Sequence, residues 1–113
     1  MERRRKRSRY EIIRDVLVRC ETNSRKTWVM YGANLSYELV VKYLEHLEKL
    51  GLVESKDGLY HITEKGRQLL DLLNAWKQKK DELDNIATLI KEYVPDERGK
   101  KNTEVKEALA PAN

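Results

Sequence analysis

The chain has 113 residues, 37% of them charged and 40% hydrophobic, with a net charge of +4. That is one domain's worth of chain, it holds no run near the ~20 apolar residues that cross a bilayer, and its one cysteine, Cys20, excludes an intrachain disulfide. The charge is uneven: residues 1–28 hold ten Lys/Arg against four Asp/Glu, and residues 29–113 hold thirteen against fifteen, so any attraction for polyanions is concentrated at one end.

Abundant Lys/Arg together with Glu matches the composition of thermophile surfaces that carry ion-pair networks. Cys20 has no Cys or His at metal spacing, and neither a signal-peptide core nor a metal box is found. The expectation is a soluble cytoplasmic protein without metal or other cofactor.

Arg3, Arg4, Arg5, Lys6, Arg7 and Arg9 open the chain with nothing apolar to fold around. Residues 1–7 are therefore expected to be a flexible basic arm, and the expected folded domain runs over 8–68. Ser8-Arg9-Tyr10-Glu11 is a capping box that starts a helix. Ile12, Ile13, Val16, Leu17 and Cys20 recur behind it at helical spacing, and Asn23 and Ser24 end it.

Thr27 is the expected cap of a short second helix, and Gly32-Ala33-Asn34 the sharp turn to a third that starts at Ser36. Leu39, Val40, Tyr43, Leu44, Leu47 and Leu50 make the apolar side of that helix. Glu38, Val41, Lys42, Glu45, Glu48 and Lys49 face outward, and Gly51 stops it. Leu52–Lys56 and Leu59–Ile62 read as two strands joined by Asp57-Gly58, a two-residue type I′ hairpin signal. Helix, helix-turn-helix and hairpin in this order predict a winged helix-turn-helix, mainly α with a small β-hairpin in an α+β fold.

Thr63 caps a last helix expected to reach Val94, before Pro95. In it Leu69, Trp76, Leu83 and Ile90 fall at heptad position a, and Leu72, Lys79, Ile86 and Tyr93 at d, so seven of the eight seam positions are apolar. Residues 69–94 are thus expected to form a coiled-coil dimerisation helix. Its first seam positions should pack on the winged domain, and Trp76, Lys79, Leu83, Ile86, Ile90 and Tyr93 should form the contact with a second copy. Lys79, the polar member, either snorkels or meets Asp81 or Glu82 of the other chain to fix register. Residues 95–113 read as a disordered tail.

Met30-Tyr31-Gly32-Ala33-Asn34-Leu35-Ser36-Tyr37, with Lys42-Tyr43-Leu44, Leu50-Gly51-Leu52-Val53 and Thr63-Glu64-Lys65-Gly66, resembles the small dimeric winged-helix chromatin proteins of Sulfolobus known as the 10a type. The resemblance implies a homodimer joined through an antiparallel two-stranded coiled coil, with an archaeal nucleoid or transcriptional role. Glu38, Glu45 and Glu48 on the third helix depart from what phosphates favour.

On this reading double-stranded DNA is the partner, held by Arg3, Arg4, Arg5, Lys6, Arg7, Arg9, Lys26, Tyr31, Asn34, Ser36, Tyr37, Lys42, Lys56 and Gly58. Phosphate contacts dominate such an interface. Trp28 and Tyr43 are read as packing residues, as Tyr31 is in part, and His46 and His61 as surface or boundary residues. The expected role is architectural and nucleoid-associated, with low sequence specificity. A site-specific archaeal or viral regulator is the alternative within DNA binding, and a winged-helix protein-interaction module the alternative outside it. No nucleophile with a base, acid pair or phosphate-cradling glycine loop argues for an enzyme.

Overall fold

The computed structural model describes residues 7–95. The arm residues Arg3, Arg4, Arg5 and Lys6 lie outside the described residues, as does the tail from Asp96. The chain divides into two units at Gln78/Lys79. The elements are α1 (Arg9–Arg19), β1 (Ser24–Arg25), α2 (Lys26–Ala33), α3 (Tyr37–Lys49), β2 (Val53–Lys56), β3 (Leu59–Ile62) and α4 (Glu64–Tyr93). This is the mainly helical winged helix-turn-helix with a long C-terminal helix that the sequence predicts.

Local chemistry sets most of the helix starts. The Glu11 N–H donates to Ser8 Oγ at 3.2 Å and the Ser8 N–H to Glu11 Oε1 at 2.8 Å, completing the capping box. Ser36 Oγ accepts from the Leu39 N–H at 3.2 Å, and Thr63 Oγ1 from the Gly66 N–H at 3.0 Å. Asp57 and Gly58 have φ of 54° and 79°, the positive pair that a type I′ turn requires.

Two expectations at the second helix are corrected. Ser24, expected as helix-ending coil, begins β1, where Ser24 pairs with Tyr60 and Arg25 with Leu59. The sheet is therefore three-stranded, in the order β1-β3-β2. Ser24 is buried, and its hydroxyl is satisfied by donating to the Arg19 carbonyl at 2.8 Å. The cap of α2 is then Arg25 rather than Thr27, extended at φ −77° and ψ 158° with no side-chain cap bond. Strand pairing holds Arg25 out of helical geometry, so the helix can begin directly behind it. Asn34, left-handed at φ 56°, ends α2.

Val16, Leu17, Cys20, Val29, Val40, Leu44, Leu47 and Val53 are fully enclosed at the centre of the core, joined by Ile62, Leu70 and Leu73. Burial pushes the Cys20 thiol up to about 12, the behaviour of a small hydrophobe. On α3 the buried arc is Val40-Leu44-Leu47, with Tyr43 and Val41 partly buried beside it. Leu39 and Leu50, expected inside, flank that arc and are exposed.

The α4 face that enters the core is Gly66-Leu70-Leu73, one residue on from the expected Leu69-Leu72 stripe. Gly66 selects it. A Cβ there would lie 2.1 Å from the Leu52 carbonyl oxygen, so α4 meets the base of the hairpin backbone to backbone. Leu69 is half-buried and Leu72 is exposed, while Trp76 is half-buried and stands edge-on to Tyr10, with ring centroids 5.4 Å apart.

In the unit beginning at Lys79, Leu83, Ile86, Leu89, Ile90 and Tyr93 are all exposed. Lys79 Nζ lies 3.8 Å from Glu82 Oε1 of its own helix. No helix among the described residues is long and apolar enough to cross a membrane.

Candidate nucleic-acid interface

The helix-turn-helix is formed by α2, the Asn34 turn and α3, and the core stripe Val40-Leu44-Leu47 fixes which side of α3 is free. That free side presents Glu38, Lys42, Glu45, Lys49, Leu39 and His46, all exposed. At its start, the Ser36 hydroxyl accepts the Leu39 bond, which leaves its own proton to donate. Tyr37 is 55% exposed, with Lys26 Nζ 5.7 Å from its ring centroid, a cation–π contact. Glu48 accepts from Ser55 Oγ at 3.0 Å and so belongs to the α3–β2 junction.

Arg7 has a definite place. Its guanidinium donates to Asp15 Oδ2 at 2.6 Å and to the Asn34 carbonyl at 2.9 Å. Arg7 thus ties the start of the described residues to the helix-turn-helix bend, and both these bonds are internal ones. Arg9, two residues on, reaches His46 Nε2 at 3.2 Å. Arg9 and Lys42 line one recess together with Leu39, Tyr43 and His46.

The remaining candidates are more scattered. Tyr31 is 72% exposed, and Trp28, expected to pack, is 61% exposed three residues earlier on α2. Aromatic letters signal burial from sequence alone, and only the tertiary choice of Val29 and Ala33 as the inner face of α2 reveals otherwise. Lys56 and Gly58 are exposed at the wing tip, where Lys56 shares a mixed-charge recess with Glu21, Asp57 and Arg67. His61 lies 3.1 Å from Glu54, its partner across the hairpin. No group of three or more potential metal ligands is found among the described residues.

The profile of the winged helix-turn-helix family matches residues 6–81. An uncharacterised protein of Methanocaldococcus jannaschii is 35% identical over 72 residues, which cover 63% of this chain and 74% of that protein. Among solved structures, Sso10a-2, a DNA-binding protein from Sulfolobus solfataricus, matches with a TM-score of 0.70 and 30% identity over 80% of this chain and 99% of its own. ZitR of Lactococcus lactis matches with a TM-score of 0.55 and 19% identity over 91% and 75% of the two chains, a likeness of fold alone. The resemblance carried by the Met30–Tyr37 string thus has a structural counterpart in a Sulfolobus protein of the 10a type.

Proposed function

The chain belongs to the winged helix-turn-helix family, and on that premise we propose that it is a homodimeric duplex-DNA-binding protein of architectural, low-specificity kind. The observation that carries the reading is the free side of α3. Polar groups at its start, Lys42 on its face and Arg9 against its flank are donors of the kind that bind phosphate, and Arg7, which follows the basic run in sequence, is fastened to the Asn34 turn. The similarity to Sso10a-2, a DNA-binding protein, supports it.

Low specificity follows from the same surface. Glu38 and Glu45 alternate with Lys42 and Lys49 on the exposed side of α3, and carboxylates beside phosphates work against deep, tight groove insertion. Affinity then comes chiefly from neutralised phosphates, a term blind to sequence. Dimerisation is assigned to the α4 positions Leu83, Ile86, Ile90 and Tyr93, whose exposed apolar surface would be covered by the same helix of a second copy. Nucleoid association is the cellular expectation.

Titration of a labelled duplex of arbitrary sequence, followed by anisotropy at low salt, tests this reading. Saturable binding with an even number of protomers per complex is expected, undiminished when the sequence is scrambled. Protection of one operator over excess competitor would replace the architectural role with a site-specific regulator. No binding at low salt would favour an interaction module, for which the exposed Trp28 and Tyr31 offer a surface.

A further inference from the structure

The recess beside α3 has a volume of about 340 Å³ and is lined by Arg9, Leu39, Lys42, Tyr43 and His46. No carboxylate lines it. Arg9 Nη2 lies 3.2 Å from His46 Nε2. A guanidinium has five donors and no acceptor, so in this contact His46 Nε2 is the acceptor. A protonated ring could not accept that bond. The charged and titratable residues that share the recess with His46 are Arg9 from α1 and Lys42 and Tyr43 from α3, and Glu45 is exposed next to His46 on the same helix. Lys49 follows one turn later on the same helix. The opening thus presents nitrogen groups of Arg9, Lys42 and His46 beside Leu39 and Tyr43, with Glu38 and Glu45 exposed on the same helix outside the lining.

We propose that this recess is a phosphodiester clamp of the DNA-binding surface, and that it closes with uptake of one proton by His46. The inference rests on the DNA-binding reading above and names the site at which one backbone phosphate is held. When a phosphate oxygen enters, Arg9 turns its donor from His46 Nε2 to that oxygen. The freed Nε2 lone pair takes a proton from solvent and donates to the other non-bridging oxygen, and the Lys42 ammonium adds a charge-assisted contact. Leu39 and the Tyr43 ring pack against the deoxyribose. No bond to phosphorus forms or breaks, and the one proton comes from water. Arg9 and Lys42 bind phosphate directly, and so does His46, which makes DNA affinity depend on pH in the neutral range where imidazoles change charge.

The test measures duplex affinity of the full chain at constant low ionic strength between about pH 8 and about pH 6. Affinity is expected to rise as pH falls, by up to about tenfold per pH unit for each clamp engaged. In His46→Gln, which keeps an acceptor and a donor but does not titrate, that dependence should vanish. Arg9→Gln and Lys42→Gln should each weaken binding severalfold at every pH while the circular dichroism spectrum is unchanged. Nitrogen-detected NMR of the imidazole should show Nε2 gaining its proton when duplex is added. Binding that is independent of pH in the wild type, or equally pH-dependent in His46→Gln, would overturn the clamp and leave DNA binding standing. Absence of duplex binding at every pH would overturn the DNA reading and the clamp with it.

Discussion

Gly66 decides how closely α4 approaches the hairpin. Its ideal Cβ would meet the Leu52 carbonyl oxygen at 2.1 Å and the Ile62 side chain at 2.7 Å, and a backbone oxygen cannot swing away as a side chain can. Gly66→Ala gains up to ~1 kcal/mol of helix propensity but forces the α4 backbone outward, and overpacking of this kind typically costs ~1–3 kcal/mol. The expected outcome is net destabilisation of about 1–2 kcal/mol by chemical denaturation, and unchanged or raised stability would contradict the contact. Cys20 gives a second prediction. Desolvation raises its thiol from 9.0 to about 12, so the unfolded chain loses this proton at lower pH than the folded one. Stability from this group is full below about pH 9 and falls as pH rises toward about 12. Cys20→Ala should flatten the fall, and thiol reagents at neutral pH should label wild type only after denaturant is added. Rapid labelling of the native protein would contradict the burial.

At the scale of elements, the parts that could be read from the chain are those with a local code. Ser8, Ser36 and Thr63 cap helices through bonds to residues three positions away, and Asp57-Gly58 sets the hairpin through two backbone conformations. β1 could not be read, because two residues have no alternation to detect and its existence depends on pairing with β3. The start of α2 was misplaced for the same reason, since a strand partner rather than a capping side chain defines it. On α4 the heptad pattern counts apolar letters, whereas the buried face was chosen by the one residue without a side chain, leaving Leu72 exposed. The candidate site was readable in composition and less so in placement: Arg7 is spent on Asp15 and Asn34, and His46 emerges only through its contact with Arg9. The dimerisation role assigned to α4 gives an element-scale prediction. Leu83→Glu combined with Ile86→Glu puts like charges where apolar contact is proposed, so sedimentation should report a monomer whose thermal transition is retained. A dimer that persists would remove the second half of α4 from the interface.

For the molecule as a whole, the uneven charge is the property that ties sequence to function. Ten Lys/Arg against four Asp/Glu in residues 1–28 concentrate attraction for a polyanion in the first part of the sequence. The remainder, with thirteen against fifteen, limits unselective sticking of the rest of the chain. A dimer would double this attraction without any new contact, by holding two basic ends on one nucleic acid. Arg7 shapes how the idea must be tested, because removing it would also break its bonds to Asp15 and Asn34; the informative truncation ends at residue 6. The most direct measurement is the dependence of duplex affinity on salt, for the full chain and for the chain lacking residues 1–6. A log–log slope of roughly −0.9 per phosphate contact is expected, becoming shallower in the truncated chain as Arg3, Arg4, Arg5 and Lys6 are lost. An affinity that is flat with salt, or no duplex binding by the full chain at low salt, would contradict the account.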